Sequence, residues 1–117
     1  MKFMTMVTSS LNSQGKFPPP ALMEAIFAFG KEAQDAGVLV QQGGLLPIAT
    51  GAVFDLRDGA LTLTDGPFAE AKEWVGGYAV YEVADKETAL DWARRFVELH
   101  QKHWPEWEGQ VEIRQIM

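Results

Sequence analysis

Apolar residues along the chain follow two periods, and each period marks its own kind of element. Leu22, Ile26, Phe29, Ala33 and Ala36 stand three or four apart, which places one apolar stripe along a helix. Pro18-Pro19-Pro20 stiffens the entry to that helix, where proline is tolerated because the first-turn N–H groups have no helical acceptor. Gly37 stands where a C-terminal cap needs left-handed backbone. A second stripe runs through Ala89, Leu90, Ala93, Phe96 and Val97, with Asp91, Arg94, Arg95 and Glu98 outward and Asp85 as the cap. Residues 2–8, 38–40 and 74–83 read instead as strands, the last of them rich in aromatic and β-branched residues, and Val111 to Ile116 reads as a final strand. Ser9 to Lys16 is polar and loop-like, and Gly43-Gly44 weakens or bends the second strand.

The strongest local prediction is a hairpin. Residues 52–57 and 60–64 flank Asp58-Gly59, a pair suited to a two-residue turn. Closing that turn pairs Arg57 with Ala60, Leu56 with Leu61 and Phe54 with Leu63. Phe54, Leu56, Leu61 and Leu63 then share one face, and Asp55, Arg57 and Thr62 take the other, so period-2 patterning and turn chemistry agree.

The predicted order is β-α-β-β-β-β-α-β. Setting the hairpin aside as an insertion leaves βαβ-βαβ, an α+β, ferredoxin-like split arrangement with both helices on one sheet face. The other face has no element left to cover it. Face-to-face pairing of two copies is the simplest cover and predicts a homodimer.

Composition narrows the class without changing the fold. The 117 residues fit a single domain spanning 1–117, with 47% hydrophobic and 22% charged residues. No apolar run approaches the roughly 20 residues of a membrane span, and the amino-terminal stretch reads as a strand rather than a signal peptide. The absence of cysteine excludes disulfides and thiolate chemistry and fits a cytoplasmic protein. A net charge of −6 argues against a nucleic-acid partner, since phosphate binding needs clustered Lys and Arg.

Candidate chemistry gathers in Asp65-Gly66-Pro67-Phe68-Ala69-Glu70-Ala71-Lys72-Glu73. Asp65, Pro67 and Phe68 suit a strand exit, where the carboxylate bonds nearby N–H groups, the proline fixes φ and the ring packs beneath. A turn does not require the Glu, Lys and Glu that follow. Asp65, Glu70 and Lys72 are therefore the candidate catalytic groups: a desolvated carboxylate can titrate near neutrality, while neighbouring carboxylates favour the lysine's ammonium form. The bland alternative is a solvated charged loop. Phe68, Glu73, Trp74 and Tyr78 are the candidate ligand contacts, with Trp74 and Tyr78 on one strand face and Tyr81 on the other. Carboxylates without histidine suit a hard cation such as Mg²⁺, but no spacing fixes a site, so no metal is assigned. His100 and His103 read as a helix end beside the packing residues Trp104 and Trp107, or as a pocket wall, rather than as metal ligands. Gly43-Gly44 and Gly76-Gly77 lack the strand-to-helix context of a phosphate loop, and no organic cofactor is implied.

The same nine residues, followed by Gly76-Gly77-Tyr78, resemble the motif of the DGPF-domain, YciI-like (YCII-related) family. Lys2-Phe3-Met4, Ala36-Gly37-Val38-Leu39 and Val111-Glu112-Ile113-Arg114 extend the resemblance along the chain. It implies a dimeric α+β barrel of ferredoxin-like protomers, similar to muconolactone isomerase and small monooxygenases. Family context also implies association with extracytoplasmic-function sigma factors. The YciI branch pairs a first-helix histidine with an aspartate. Residues 18–36 hold no histidine and the first in the chain is His100, so that pair has no counterpart on the first helix. Two functions are expected: a homodimeric domain binding a small molecule as a regulatory or accessory module, or an enzyme working without cofactor, isomerase- or lyase-like, through acid/base carboxylates.

Overall fold

Among the described residues four strands form one antiparallel sheet, and two helices lie on one of its faces. A computed structural model of the chain describes residues 1–13, 16–65 and 74–117. The elements are β1 (Lys2–Ser9), α1 (Pro20–Asp35), β2 (Leu39–Gly44), β3 (Ala52–Arg57), β4 (Ala60–Asp65), β5 (Val75–Glu82), α2 (Lys86–His103) and β6 (Gly109–Gln115), with a 3-10 turn over Ile48–Thr50. The main sheet runs β2-β5-β1-β6, and β3 and β4 pair separately. This α+β order is the one expected of a split βαβ pair, with the hairpin set outside the main sheet.

The local chemistry works largely as the sequence predicts. Gly37 takes a φ of 75° after α1, and its N–H bonds the Gln34 carbonyl while that of Val38 bonds Ala33, a full Schellman stop. Asp85 caps α2 by accepting from the Thr88 amide at 2.8 Å and the Thr88 hydroxyl at 2.6 Å, which holds its carboxyl below the ordinary range. Asp58 and Gly59 both have positive φ, at 50° and 76°, as a type I′ turn requires. The resulting register pairs Arg57 with Ala60, Leu56 with Leu61 and Phe54 with Leu63, as turn chemistry demands.

The core sits between the sheet and both helices. Phe3 of β1 and Tyr81 of β5 face each other across the ladder and pack with Val83, Ala33 of α1 and Ala89 of α2. Tyr81 stacks on Trp92 with ring centroids 6.0 Å apart, and Phe29 tilts against Trp92 at 5.5 Å. Arg95 lies over both the Phe29 and Trp92 rings and pairs with Glu32, clamping α2 to α1. Ala36 and Val97, at the ends of their predicted stripes, are exposed. The opposite sheet face carries Met4, Met6, Tyr78 and Val80, and no helix among the described residues covers it.

The radius of gyration is 15.9 Å, against roughly 13 Å for a compact domain of this length. The excess reflects the β3–β4 hairpin, which pairs with itself and joins neither the main sheet nor the core.

Candidate functional site

Strand register explains where the molecule is hollow. Val7 of β1 lies opposite Gly77 of β5, and Gly77 lies opposite Gly44 of β2, so two adjacent positions beneath α1 carry no side chain. The row shares the helix-facing side with Thr5 and Ala79, two residues along. A Cβ placed on Gly44 would meet nothing within 4 Å. A cleft of about 540 Å³ opens there between the sheet floor and the helices. Leu22, Met23 and Ile26 of α1 form one wall, and Phe96 and His100 of α2, with Trp104 and Trp107 beyond it, form the other.

His100 is the titratable group built most deeply into this wall. Its ring is buried and lies between Phe96, at a centroid distance of 4.9 Å, and Trp107, at 4.5 Å. Nδ1 is 3.1 Å from the Phe96 carbonyl. A carbonyl only accepts, so Nδ1 carries the proton and Nε2 holds the free lone pair. Burial lowers the imidazole's pKa and outweighs the opposing Phe96 bond. Burial thus favours the neutral ring, against the cation that the dipole at a helix's last turn would favour.

The segment after α2 is fixed by local bonds. Trp107 donates from Nε1 to the Ser9 hydroxyl at 2.9 Å, the Glu108 amide donates to Ser13 Oγ at 2.9 Å, and the Ser10 amide donates to the Glu108 carbonyl at 2.8 Å. Gly109 has no room for a Cβ, because the Trp107 ring and the Thr8 carbonyl occupy that space. Trp107 is thus a held wall rather than a loose surface ring. Among the described residues the cleft's border holds one lysine, Lys16, and no carboxylate, although the chain holds 16 acidic residues.

The residues predicted from sequence fall in different places. Asp65 ends β4, is exposed, pairs with Ala52 and does not border the cleft. Phe68, Glu70, Lys72 and Glu73 lie outside the described residues. Trp74 is half-buried just before β5 and is likewise absent from the cleft lining. Tyr78 borders the cleft through its strand, but its ring lies on the helix-free face over Gly43, where the hydroxyl accepts from Gln41 Nε2 at 3.0 Å. Tyr81 points to the other face, into the core, as alternation predicts, and burial raises its pKa despite the nearby Arg95. Among the described residues no three His, Asp or Glu side chains gather as a metal site would require, and no helix is long and apolar enough to cross a membrane.

Sequence reasoning missed the glycine row and the depth of His100. The row joins residues 33 positions apart and becomes visible only once strand order and register are known. His100 did leave a signal: it extends the Ala89, Ala93, Phe96 spacing by one more step of four, and so belongs to the buried stripe.

Comparison with known proteins places this architecture. The profile of the YCII-related domain matches residues 1–116. An uncharacterised protein of Rhizobium meliloti (strain 1021) is 33% identical over 73 residues, 62% of this chain and 59% of that relative's length. The chain belongs to the YCII-related family.

Proposed function

We propose that this YCII-related protein is a homodimeric domain that binds a compact small molecule in the cleft beneath α1, as a regulatory or accessory module. The observation that carries the reading is the paired Gly44 and Gly77, which leaves about 540 Å³ unfilled where a folded domain ordinarily packs its core. Apolar walls with few polar groups suit a mostly apolar ligand. A lysine at the rim without a bordering carboxylate suits one anionic end, such as a carboxylate. The homodimer is supported by the apolar row Met4, Met6, Tyr78 and Val80, the first three half-buried and Val80 buried, on the sheet face that no described helix covers.

A thermal-shift screen with small aromatic and aliphatic carboxylates tests the ligand. Binding to the folded state alone stabilises by about 2.7 kcal/mol at a hundredfold excess over Kd. Gly44→Leu fills the cleft from a position with open space, so it abolishes the shift while leaving the fold intact. An equal shift in Gly44→Leu removes the cleft as the site, and no shift from any member of the screen removes the ligand class.

A second reading, proton transfer on the bound molecule, is favoured by the free Nε2 of a neutral, buried imidazole. In this reading His100 accepts a proton from bound substrate without organic cofactor. His100→Gln then retains ligand binding and loses turnover by roughly 10²-fold or more. Loss of turnover in Asp65→Asn, Glu70→Gln or Lys72→Met, with His100→Gln fully active, moves the chemistry to the carboxylate cluster instead.

A further inference from the structure

The β3–β4 hairpin is built inside out for a lone chain. Its register gathers Phe54, Leu56, Leu61 and Leu63 on one face, and those four side chains are 67%, 72%, 69% and 54% exposed. Val53 and Asp55 on the opposite face are the more sheltered ones. A two-stranded hairpin is marginal without a surface to pack on. We infer that the apolar face of this arm lies against a second copy of the same chain, so that two protomers clasp each other reciprocally.

Area and surface chemistry favour that occupant. The four side chains present on the order of 400 Å² of contiguous apolar surface, a size at which a patch on a monomer is commonly functional. The chain also offers a receiving surface, since Leu45, Leu46 and Val75 are themselves exposed where the end of β2 meets the start of β5. A two-fold axis repeats the contact, with each arm on the partner's body. Two arms and two receiving surfaces then bury on the order of 1,600 Å², the area of a standard stable interface. The patch carries no charge, so nothing on it selects an oppositely charged partner.

The inference rests on the homodimer reading and adds a contact that the open sheet face does not require. Sedimentation at micromolar concentration tests both. The wild type is expected to run at twice its 13.0 kDa chain mass, and Leu56→Glu/Leu61→Lys, which keeps opposite charges in the paired positions, at the chain mass, with its dissociation constant raised roughly 100-fold or more and its helical circular dichroism unchanged. Thr62→Lys, on the opposite face of the arm and paired with Asp55, leaves the dimer intact. A double variant that dimerises as tightly as wild type overturns the arm contact while the dimer stands. A monomeric wild type overturns both. Hydrogen exchange of wild-type residues 53–64 over a dilution series gives a readout free of mutation. Protection that falls as the dimer dissociates supports the contact, and protection indifferent to dissociation overturns it.

Discussion

The two ends of the sheet's helix-facing side solve the same problem in opposite ways. Around Phe3 and Tyr81 the strands supply large side chains, and the helices answer with the small Ala33 and Ala89 beneath and the Trp92 ring stacked on Tyr81, so the layers close on each other. A few residues along the same strands, Gly44 and Gly77 supply nothing, and α1 answers with Leu22 and Ile26, which reach inward without filling the gap. Both ends share one sheet and the same two helices. On the strand side, the difference between core and cleft is the difference between Phe3 with Tyr81 and Gly44 with Gly77. Stability is therefore expected to reside at the first end and ligand recognition at the second.

Truncating the packed end is the strongest way to break that contrast. Phe3→Ala removes a buried ring against which Tyr81, Ala33 and Ala89 pack, and is expected to cost about 3–5 kcal/mol in denaturant unfolding. A loss below about 1 kcal/mol would show that this end is not the packed core described above. The core is the kind of feature that sequence reports well. Phe3, Ala33, Tyr81 and Ala89 all lie in stretches of correct period, and the stripes on α1 and α2 predicted the inward residues except at their ends, where Ala36 and Val97 are exposed. The hairpin was legible to its register, because Asp58-Gly59 and the Phe54/Leu63 alternation are adjacent in the chain. Its outward-facing apolar side was not, since alternation identifies an apolar face without saying what the face meets. The cleft was illegible for a stronger reason: a cavity is a coincidence of small residues on separate strands, and Gly43-Gly44 read alone suggests only a weak strand. The charged motif from Asp65 named the family through its residues, yet charge density along the chain does not specify convergence in space.

His100 stands in the wall of the hollow end, and pH sharpens the contrast. The folded state holds this imidazole's pKa below the ordinary 6.5 because the charged form would lose solvation in the wall. Above 6.5 the ring is neutral whether folded or unfolded, and folding loses nothing. As pH falls below that value the unfolded chain takes up the proton first, so stability declines until the lowered folded value is passed. Urea midpoints measured from pH 8 to pH 5 are expected to fall across this window, and His100→Gln is expected to flatten that part of the decline. The capping carboxyl of Asp85 titrates from a lowered value too, but only at more acidic pH, so it does not obscure the step. An identical decline in His100→Gln would place the acid sensitivity elsewhere.

The smallest expected effect is the most discriminating. Gly44→Leu adds a large side chain to the same sheet face on which Phe3→Ala removes one. Substitution into a close-packed interior ordinarily forces shifts costing about 1–3 kcal/mol. Gly44 has no atom within 4 Å of a new Cβ, its backbone is not in the left-handed region, and glycine within a strand itself costs roughly 0.5–1 kcal/mol relative to alanine. The new side chain also buries apolar surface against Leu22 and Ile26. Unfolding free energy is therefore expected to stay within about 1 kcal/mol of wild type, with any change toward greater stability, while ligand-induced stabilisation disappears. A destabilisation of several kcal/mol would mean that the space beneath α1 is already filled in solution, and the division between a packed end and a hollow end would fall with it.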